Sequence, residues 1–166
     1  FQAVGEALAK RPGDIALHAL RGQMFLDLGR VAQALEDFGT VLDIQPAALP
    51  VLESMIPLMV QSGRGAEVLA RAEAAVAAAP GNDGAWRLLH RAAVATGGDP
   101  MAVIARWREA LPGSDACLEV NAIHEESRGN FEAALRLADE ALARNPELFT
   151  SNLIKANLAA PVTATI

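Results

Sequence analysis

The pattern that organises the chain begins with residues 12–46, PGDIALHALRGQMFLDLGRVAQALEDFGTVLDIQP, which predict two amphipathic helices between two prolines. Gly29 lies at the bend between the helices, seventeen residues after Pro12 and seventeen before Pro46. Apolar residues recur at helical spacing in both halves, and the alternation typical of a strand is absent. The stretch therefore predicts a helix–turn–helix unit.

The same spacing returns three more times along the chain. A glycine again follows a proline after seventeen residues in the pairs Pro46–Gly63, Pro80–Gly97 and Pro112–Gly129. From glycine to the next proline the count is also seventeen, except from Gly97 to Pro112, where it is fifteen. A fixed period of this size indicates a solenoid, in which each unit buries its apolar face against its neighbours.

A period of 34 residues with a helix–turn–helix in each unit resembles the tetratricopeptide repeat family. The first unit has the family's signature residues at Gly22, Phe25, Gly29, Ala34, Phe38 and Pro46. The third unit has Trp86 where the family often has tryptophan, whereas Ile56 and His90 stand where glycine or alanine is usual. The fourth unit matches the pattern at Ala122, Gly129, Phe131, Ala134, Ala141 and Pro146.

This resemblance implies an all-α, right-handed superhelical solenoid in which residues 1–166 form a single domain. We expect repeats at about residues 15–48, 49–82, 83–114 and 115–148, the third of them with a shortened second helix. Capping helices are expected at residues 1–12 and 149–160, followed by a tail at 161–166. Asp14 and Asp99 are predicted N-caps, and Pro50 is predicted in the first turn of its helix.

Composition argues against several classes of partner. The formal net charge is −6, and no run of lysine or arginine forms a basic stripe. Because phosphate binding needs clustered cations, we expect no nucleic acid partner, and RNA binding of the pentatricopeptide type is disfavoured. The longest apolar run, Ala74–Pro80, is far shorter than the roughly 20 residues that cross a bilayer, so no membrane insertion is expected.

No group of residues predicts catalysis. His18, His90 and His124 fall at different phases of different repeats, so they do not form a metal-ligand set. Cys117 has no basic neighbour in sequence, which favours a buried thiol over a nucleophile. Nucleophile elbows, phosphate-binding loops and dinucleotide fingerprints do not occur in the sequence. We therefore expect no enzyme activity, no cofactor and no metal within these residues.

The resemblance also implies a concave groove lined by the first helix of each repeat, at positions seven, eleven and fourteen after each proline. These positions hold Ala19, Gln23, Leu26, Glu53, Pro57, Val60, Arg87, Arg91, Val94, Glu119, Ile123 and Glu126, and the row continues with Leu153 and Asn157. Leu26, Val60 and Val94 form an apolar strip across three repeats.

Arg87 and Arg91 are the charged residues of most interest in this predicted groove. At i, i+4 spacing they share a helix face and could hold one carboxylate of a partner. Alternatively they form a solvated face, or they pair with Glu53 and Glu119 on adjacent repeats. Family members that bind the carboxyl terminus of heat-shock chaperones use a clamp of lysine, asparagine and arginine. Ala19 and Gln23 occupy the first positions of that clamp here, so binding of chaperone tails is not expected.

Pro57 falls in the interior of a predicted helix, where it removes the hydrogen bond to the Glu53 carbonyl at a cost of about 3 kcal/mol unless the helix kinks. The freed carbonyl is either an exposed acceptor for a ligand in a bent groove wall or part of a tolerated kink.

The function that these observations favour is a non-catalytic scaffold that binds a protein or peptide segment in the groove. An alternative is the repeat region of a larger enzyme, for example a transferase, whose catalytic domain lies outside this chain. Self-association through the terminal helices is a third possibility, with Leu153, Ile154 and Leu158 docking against another copy. A cytoplasmic location is expected, and a periplasmic one stays open because the single cysteine requires neither compartment.

Overall fold

The computed structural model describes residues 1–159, in which the regular structure is entirely α-helical and no strand occurs. The helices of this range are α1 Gln2–Lys10, α2 Ile15–Asp27, α3 Val31–Ile44, α4 Leu49–Gln61, α5 Gly65–Ala78, α6 Asp83–Thr96, α7 Pro100–Ala110, α8 Asp115–Ser127, α9 Phe131–Arg144 and α10 Phe149–Ala159. The all-α prediction is therefore confirmed. The predicted tail, residues 161–166, lies outside the described residues.

The chain divides into two compact units, residues 1–103 and residues 104–166. The first contains α1 to α6 and the start of α7; the second contains the rest of α7 and α8 to α10. In the first unit α2 packs on α3 and α4 packs on both α5 and α6, and in the second unit α9 packs between α8 and α10. The organisation of the whole chain as a single domain stays a prediction.

Glycines occupy the bends because the backbone there is left-handed. Gly29, Gly63, Gly97 and Gly129 have φ of 70°, 71°, 71° and 79°. After the first two bends, the N–H of Arg30 donates to the Phe25 carbonyl and that of Arg64 to the Met59 carbonyl, both at 2.8 Å. This bond across the helix end is the Schellman arrangement, which needs a residue that tolerates positive φ. Glycine therefore recurs at a fixed period because each bend requires a residue with positive φ.

Three local predictions about helix starts are confirmed. The Asp14 carboxylate accepts from the Leu17 N–H at 3.1 Å, and the Asp99 carboxylate accepts from the first turn of α7. Pro50 lies in the first turn of α4, where its missing N–H costs nothing.

The second helix of the third repeat is short, as the shorter spacing predicts: α7 has 11 residues, whereas α9 has 14.

Small residues allow close helix packing in the first unit. A Cβ atom built on Gly22 would lie 2.6 Å from the Phe38 ring, so α2 and α3 approach each other closely at this point. Ala34, at the start of α3, is fully buried. These three residues belong to the signature read from the sequence, and the packing explains why they are small or aromatic.

In the second unit, α8, α9 and α10 share an apolar cluster formed by Ala122, Ala134, Ala138 and Ile154. Leu158 packs against this cluster, and Ile154 is only 2% exposed. Ile154 is therefore covered within the unit, whereas Leu158 is only partly buried. Docking of another copy against the terminal helices stays a prediction. Leu153, which is 45% exposed, is the member of that predicted set that α10 presents to solvent.

Candidate binding groove

The predicted groove residues of the first unit lie on α2, α4 and α6 and are accessible. Gln23, Glu53, Pro57, Arg87, Arg91 and Val94 are exposed. Leu26 and Val60 are half-buried, and Val94 is 54% exposed. Three successive first helices therefore offer an apolar residue at the same repeat position with charged residues nearby. Whether these helices enclose a concave groove stays a prediction.

Arg91 connects two of these helices. From α6, its Nη1 donates to the Glu53 carboxylate on α4 at 2.9 Å, and its Nη2 donates to the Glu53 backbone carbonyl at 3.1 Å. Pro57 has no N–H, so this carbonyl cannot accept the usual helical bond from residue 57. Arg91 therefore satisfies the acceptor that Pro57 leaves open. Of the alternatives for Arg91, the structure has the pairing with Glu53.

In the second unit the predicted groove residues differ in exposure. Ile123 is 43% exposed and Glu126 is half-buried on α8, and Leu153 and Asn157 are exposed on α10. Glu119 is buried, at 7% exposure, so its carboxylate is not presented on an open surface as the sequence analysis expected.

A buried ionic cluster in the first unit was not predicted. Asp37 on α3 is 3% exposed and accepts two hydrogen bonds of 2.7 Å from Arg21 on α2. His18 Nδ1 also lies 2.7 Å from the Asp37 carboxylate. The other ring nitrogen of His18, Nε2, donates to the Pro12 carbonyl at 2.8 Å, since a carbonyl only accepts. The cluster therefore joins α2, α3 and the loop before α2.

The charges in this cluster stabilise one another. Burial alone would raise the pKa of Asp37, but the hydrogen bonds from Arg21 and His18 and the charge of Arg21 outweigh burial and hold this pKa below its usual range. The bidentate bond raises the pKa of Arg21 above its usual value. The Arg21 guanidinium also lies 5.9 Å from the centre of the Phe25 ring, and Phe25 packs on Phe1 with ring centres 5.1 Å apart.

Alignment of the repeats contains a signal that could have revealed this cluster. His18 and Arg21 occupy the positions that hold Leu52 and Met55 in the second repeat, and Trp86 and Leu89 in the third. Those four later residues are all buried. A histidine and an arginine in a register that is otherwise apolar need a buried polar partner, and the arginine needs a counter-charge. The helix pattern alone could not identify Asp37 as that partner.

Residues 1–159 contain no group of three or more His, Cys, Asp or Glu side chains placed to hold a metal ion. Among the same residues, no helix is both long and apolar enough to cross a membrane. The Cys117 thiol is 2% exposed, with Sγ 3.8 Å from the Ile104 carbonyl, which agrees with the buried thiol expected from the sequence.

A scan of protein-family models gives no match to the chain, and a sequence search of curated proteins gives none either. Solved structures do match. A tetratricopeptide repeat protein from Parabacteroides merdae ATCC 43184 superposes with a TM-score of 0.65 at 18% identity, over 95% of this chain and 63% of that protein. The present chain therefore spans less than two thirds of that relative's length.

Two further structures are matched over most of their length. TTC0263, a thermophilic TPR protein of Thermus thermophilus, has a TM-score of 0.63 and 20% identity, over 94% of this chain and 87% of its own. PilW, a type IV pilus biogenesis factor, has the same TM-score and identity, over 95% and 74%. Together with the helix pairs and the turn glycines, these matches show that the chain has the tetratricopeptide-repeat fold.

Proposed function

We propose that this chain is a non-catalytic scaffold that binds a protein segment along the first helices of its repeats. The observation that carries the proposal is the apolar strip of the first unit, in which Val94 is exposed and Leu26 and Val60 are half-buried. Repeats with a rigid backbone bind such segments at little ordering cost on the receptor side. Accessible apolar residues at one repeat position favour a partner segment with regularly spaced apolar side chains.

Arg91 has a smaller part in this proposal than the sequence suggested. Its guanidinium already holds the Glu53 carboxylate and carbonyl, so a carboxylate of the partner would have to displace Glu53. Arg87 is exposed one helical turn before Arg91 and borders the strip. We therefore assign recognition mainly to the apolar strip, with charged residues at its edge.

A peptide library displayed on phage and selected against the immobilised chain tests this proposal. We expect enriched peptides to share spaced apolar residues and to lose at least about tenfold in affinity when Val60 and Val94 are both replaced by Asp. The control is Ile44→Asp at the end of α3, which changes an apolar residue that is 50% exposed, close to the 54% of Val94. Equal loss in the control, or no loss in the double variant, would contradict the proposal.

Self-association is a second candidate, favoured by two exposed apolar residues on α10. Phe149 is 77% exposed and Leu153 is 45% exposed. Light scattering across a wide range of concentration tests it. Mass that rises with concentration in the wild type but not in a Phe149→Ser, Leu153→Ser variant would support self-association through α10. A constant monomer mass in the wild type would exclude it over that range.

A further inference from the structure

The contact between α4 and α6 in the first unit joins two predicted groove residues, Glu53 and Arg91. Glu53 and Pro57 lie four residues apart on α4, and Arg91 bonds Glu53 from α6. The helix α4 is continuous from Leu49 to Gln61 although Pro57 is inside it. An interior proline normally breaks or bends a helix because it leaves one carbonyl without a donor and crowds it with the ring. A donor from another helix can compensate for the lost bond.

We infer that Arg91 is a positioning residue of the proposed groove, whose guanidinium replaces the helical hydrogen bond that Pro57 removes and thereby fixes α4 against α6. Two oxygens of one residue are held by the two ends of one planar group, at 2.9 Å and 3.1 Å. Guanidinium suits this role because its donors are fixed in a fork, whereas the ammonium of lysine is a single point donor. The significance of this contact for binding rests on the proposed function.

This contact differs from an ordinary surface ion pair. Arg91 and Glu53 side chains are 46% and 60% exposed, and exposed pairs of that kind usually contribute little. The carbonyl is the part of the contact that matters, because it has no donor from residue 57 within its own helix. If Arg91 bonded only the Glu53 side chain, replacing it would change stability little. Because it also bonds the Glu53 carbonyl, its contribution to stability depends on Pro57.

Dependence on Pro57 can be measured in a double-mutant cycle of Arg91→Met and Pro57→Ala. In the Pro57 background we expect Arg91→Met to lower the melting temperature by about 3 °C. In the Pro57→Ala background the helix supplies its own N–H to the Glu53 carbonyl, and the same substitution should lower the melting temperature by about 1 °C. Equal losses in the two backgrounds would overturn the inference.

Three further variants separate the backbone bond from the ion pair. Glu53→Ala removes the carboxylate but leaves the carbonyl bond, so it should cost less than Arg91→Met. Arg91→Lys keeps the charge with one point donor and should give an intermediate loss, which also provides a folded variant if Arg91→Met unfolds. The control is Arg136→Met, which removes a 2.8 Å exposed ion pair with Glu132 within one helix. Its loss should be within error of zero and independent of Pro57.

A spectroscopic measurement reports the bond itself. The carbonyl carbon resonance of Glu53 should move upfield in Arg91→Met when Pro57 is present, because the carbonyl loses its donor, and should stay in place when residue 57 is alanine. An unchanged resonance in the Pro57 background would overturn the inference even if stability falls. None of these measurements uses a partner peptide, so failure of peptide binding would count against the proposed function and leave this inference standing.

Discussion

The helix pairs α2–α3 and α4–α5 share one repeat register but have different interiors. His18 and Arg21 point into the first pair and meet Asp37, whereas Leu52 and Met55 occupy the same positions in the second and are at most 1% exposed. Both pairs nevertheless bend at a glycine with φ near 70°. The comparison teaches that the repeat is defined by its turn geometry, while its interior can be stabilised by ionic bonds or by apolar packing.

The two pairs also distribute volume in opposite ways. In the first, Gly22 on α2 faces the ring of Phe38 on α3. At the corresponding positions the second pair has Ile56 on α4 and Ala72 on α5, both buried. The large residue is therefore on the second helix of the first pair but on the first helix of the second pair. Exchange of volume across an interface preserves packing density, which explains why Ile56 is accepted where the family usually has glycine or alanine.

The largest expected effect comes from removal of the charge at the centre of the first pair. Asp37→Ala leaves Arg21 and His18 without their buried partner, and we expect a loss of about 3 to 5 kcal/mol in the free energy of unfolding, measured by urea titration. The control is Asp43→Ala, whose carboxylate is 69% exposed in its pair with Arg71 and should change stability by less than about 1 kcal/mol. A small loss for Asp37→Ala would mean that the cluster is not needed for stability.

A somewhat smaller effect should follow from exchanging the volumes of the two pairs. Gly22→Ile places a branched side chain where a Cβ alone would already lie 2.6 Å from Phe38, and we expect a loss of about 2 to 3 kcal/mol. Adding Phe38→Ala reproduces the arrangement of the second pair and should recover at least half of this loss. Thermal unfolding of the single and double variants measures both. An additive double variant would show that the two sites do not share volume.

The turn glycines, which both helix pairs share, should cost equal stability when they are replaced. Gly29→Ala and Gly63→Ala force alanine into the left-handed region, and each should cost about 1 to 2 kcal/mol in urea titrations. The matched control is Gly13→Ala, at a position without positive φ and with no heavy atom within 4 Å of the added Cβ. Unequal losses at Gly29 and Gly63 would indicate that the tertiary surroundings, and not the turn, determine the cost.

The smallest expected effect is a dependence on pH that only the first pair has. Because the folded-state pKa of Asp37 is lowered, its contribution to stability is present above the unfolded pKa of about 3.9 and is lost as the pH falls through the folded value. Between about pH 7 and pH 5 we therefore expect no change from this group, and below about pH 4 a progressive loss.

The control for this prediction is a variant with the second pair's interior, His18→Leu, Arg21→Met and Asp37→Leu. Such apolar replacements are often neutral near pH 7, and this variant should lose less stability than the wild type between about pH 5 and pH 3. Urea midpoints across that range make the comparison. Parallel pH profiles for the two proteins would count against the role assigned to Asp37.

Several features of the fold could be predicted because they depend on neighbours in sequence. The glycine at each bend is required by a bond that spans five residues, and the caps at Asp14 and Asp99 accept N–H groups two or three residues ahead. The helix–turn–helix units and the shortened α7 follow from these local rules. The burial of Glu119 and Ile154 could not be predicted in this way, because helical periodicity assigns a face to a residue but not the element that covers it.

The amino-acid sequence by itself determined where each helix starts, where it bends back and which repeat position each residue holds. Only the tertiary structure decided that Arg91 satisfies a carbonyl 38 residues away and that Asp37 pairs with Arg21 across 16 residues. Repeat register limits which helices can meet, but the partner of a long charged side chain depends on distances of a few ångströms between helices. Those distances are set by the packed volumes of residues such as Gly22 and Phe38, which act together and not one position at a time.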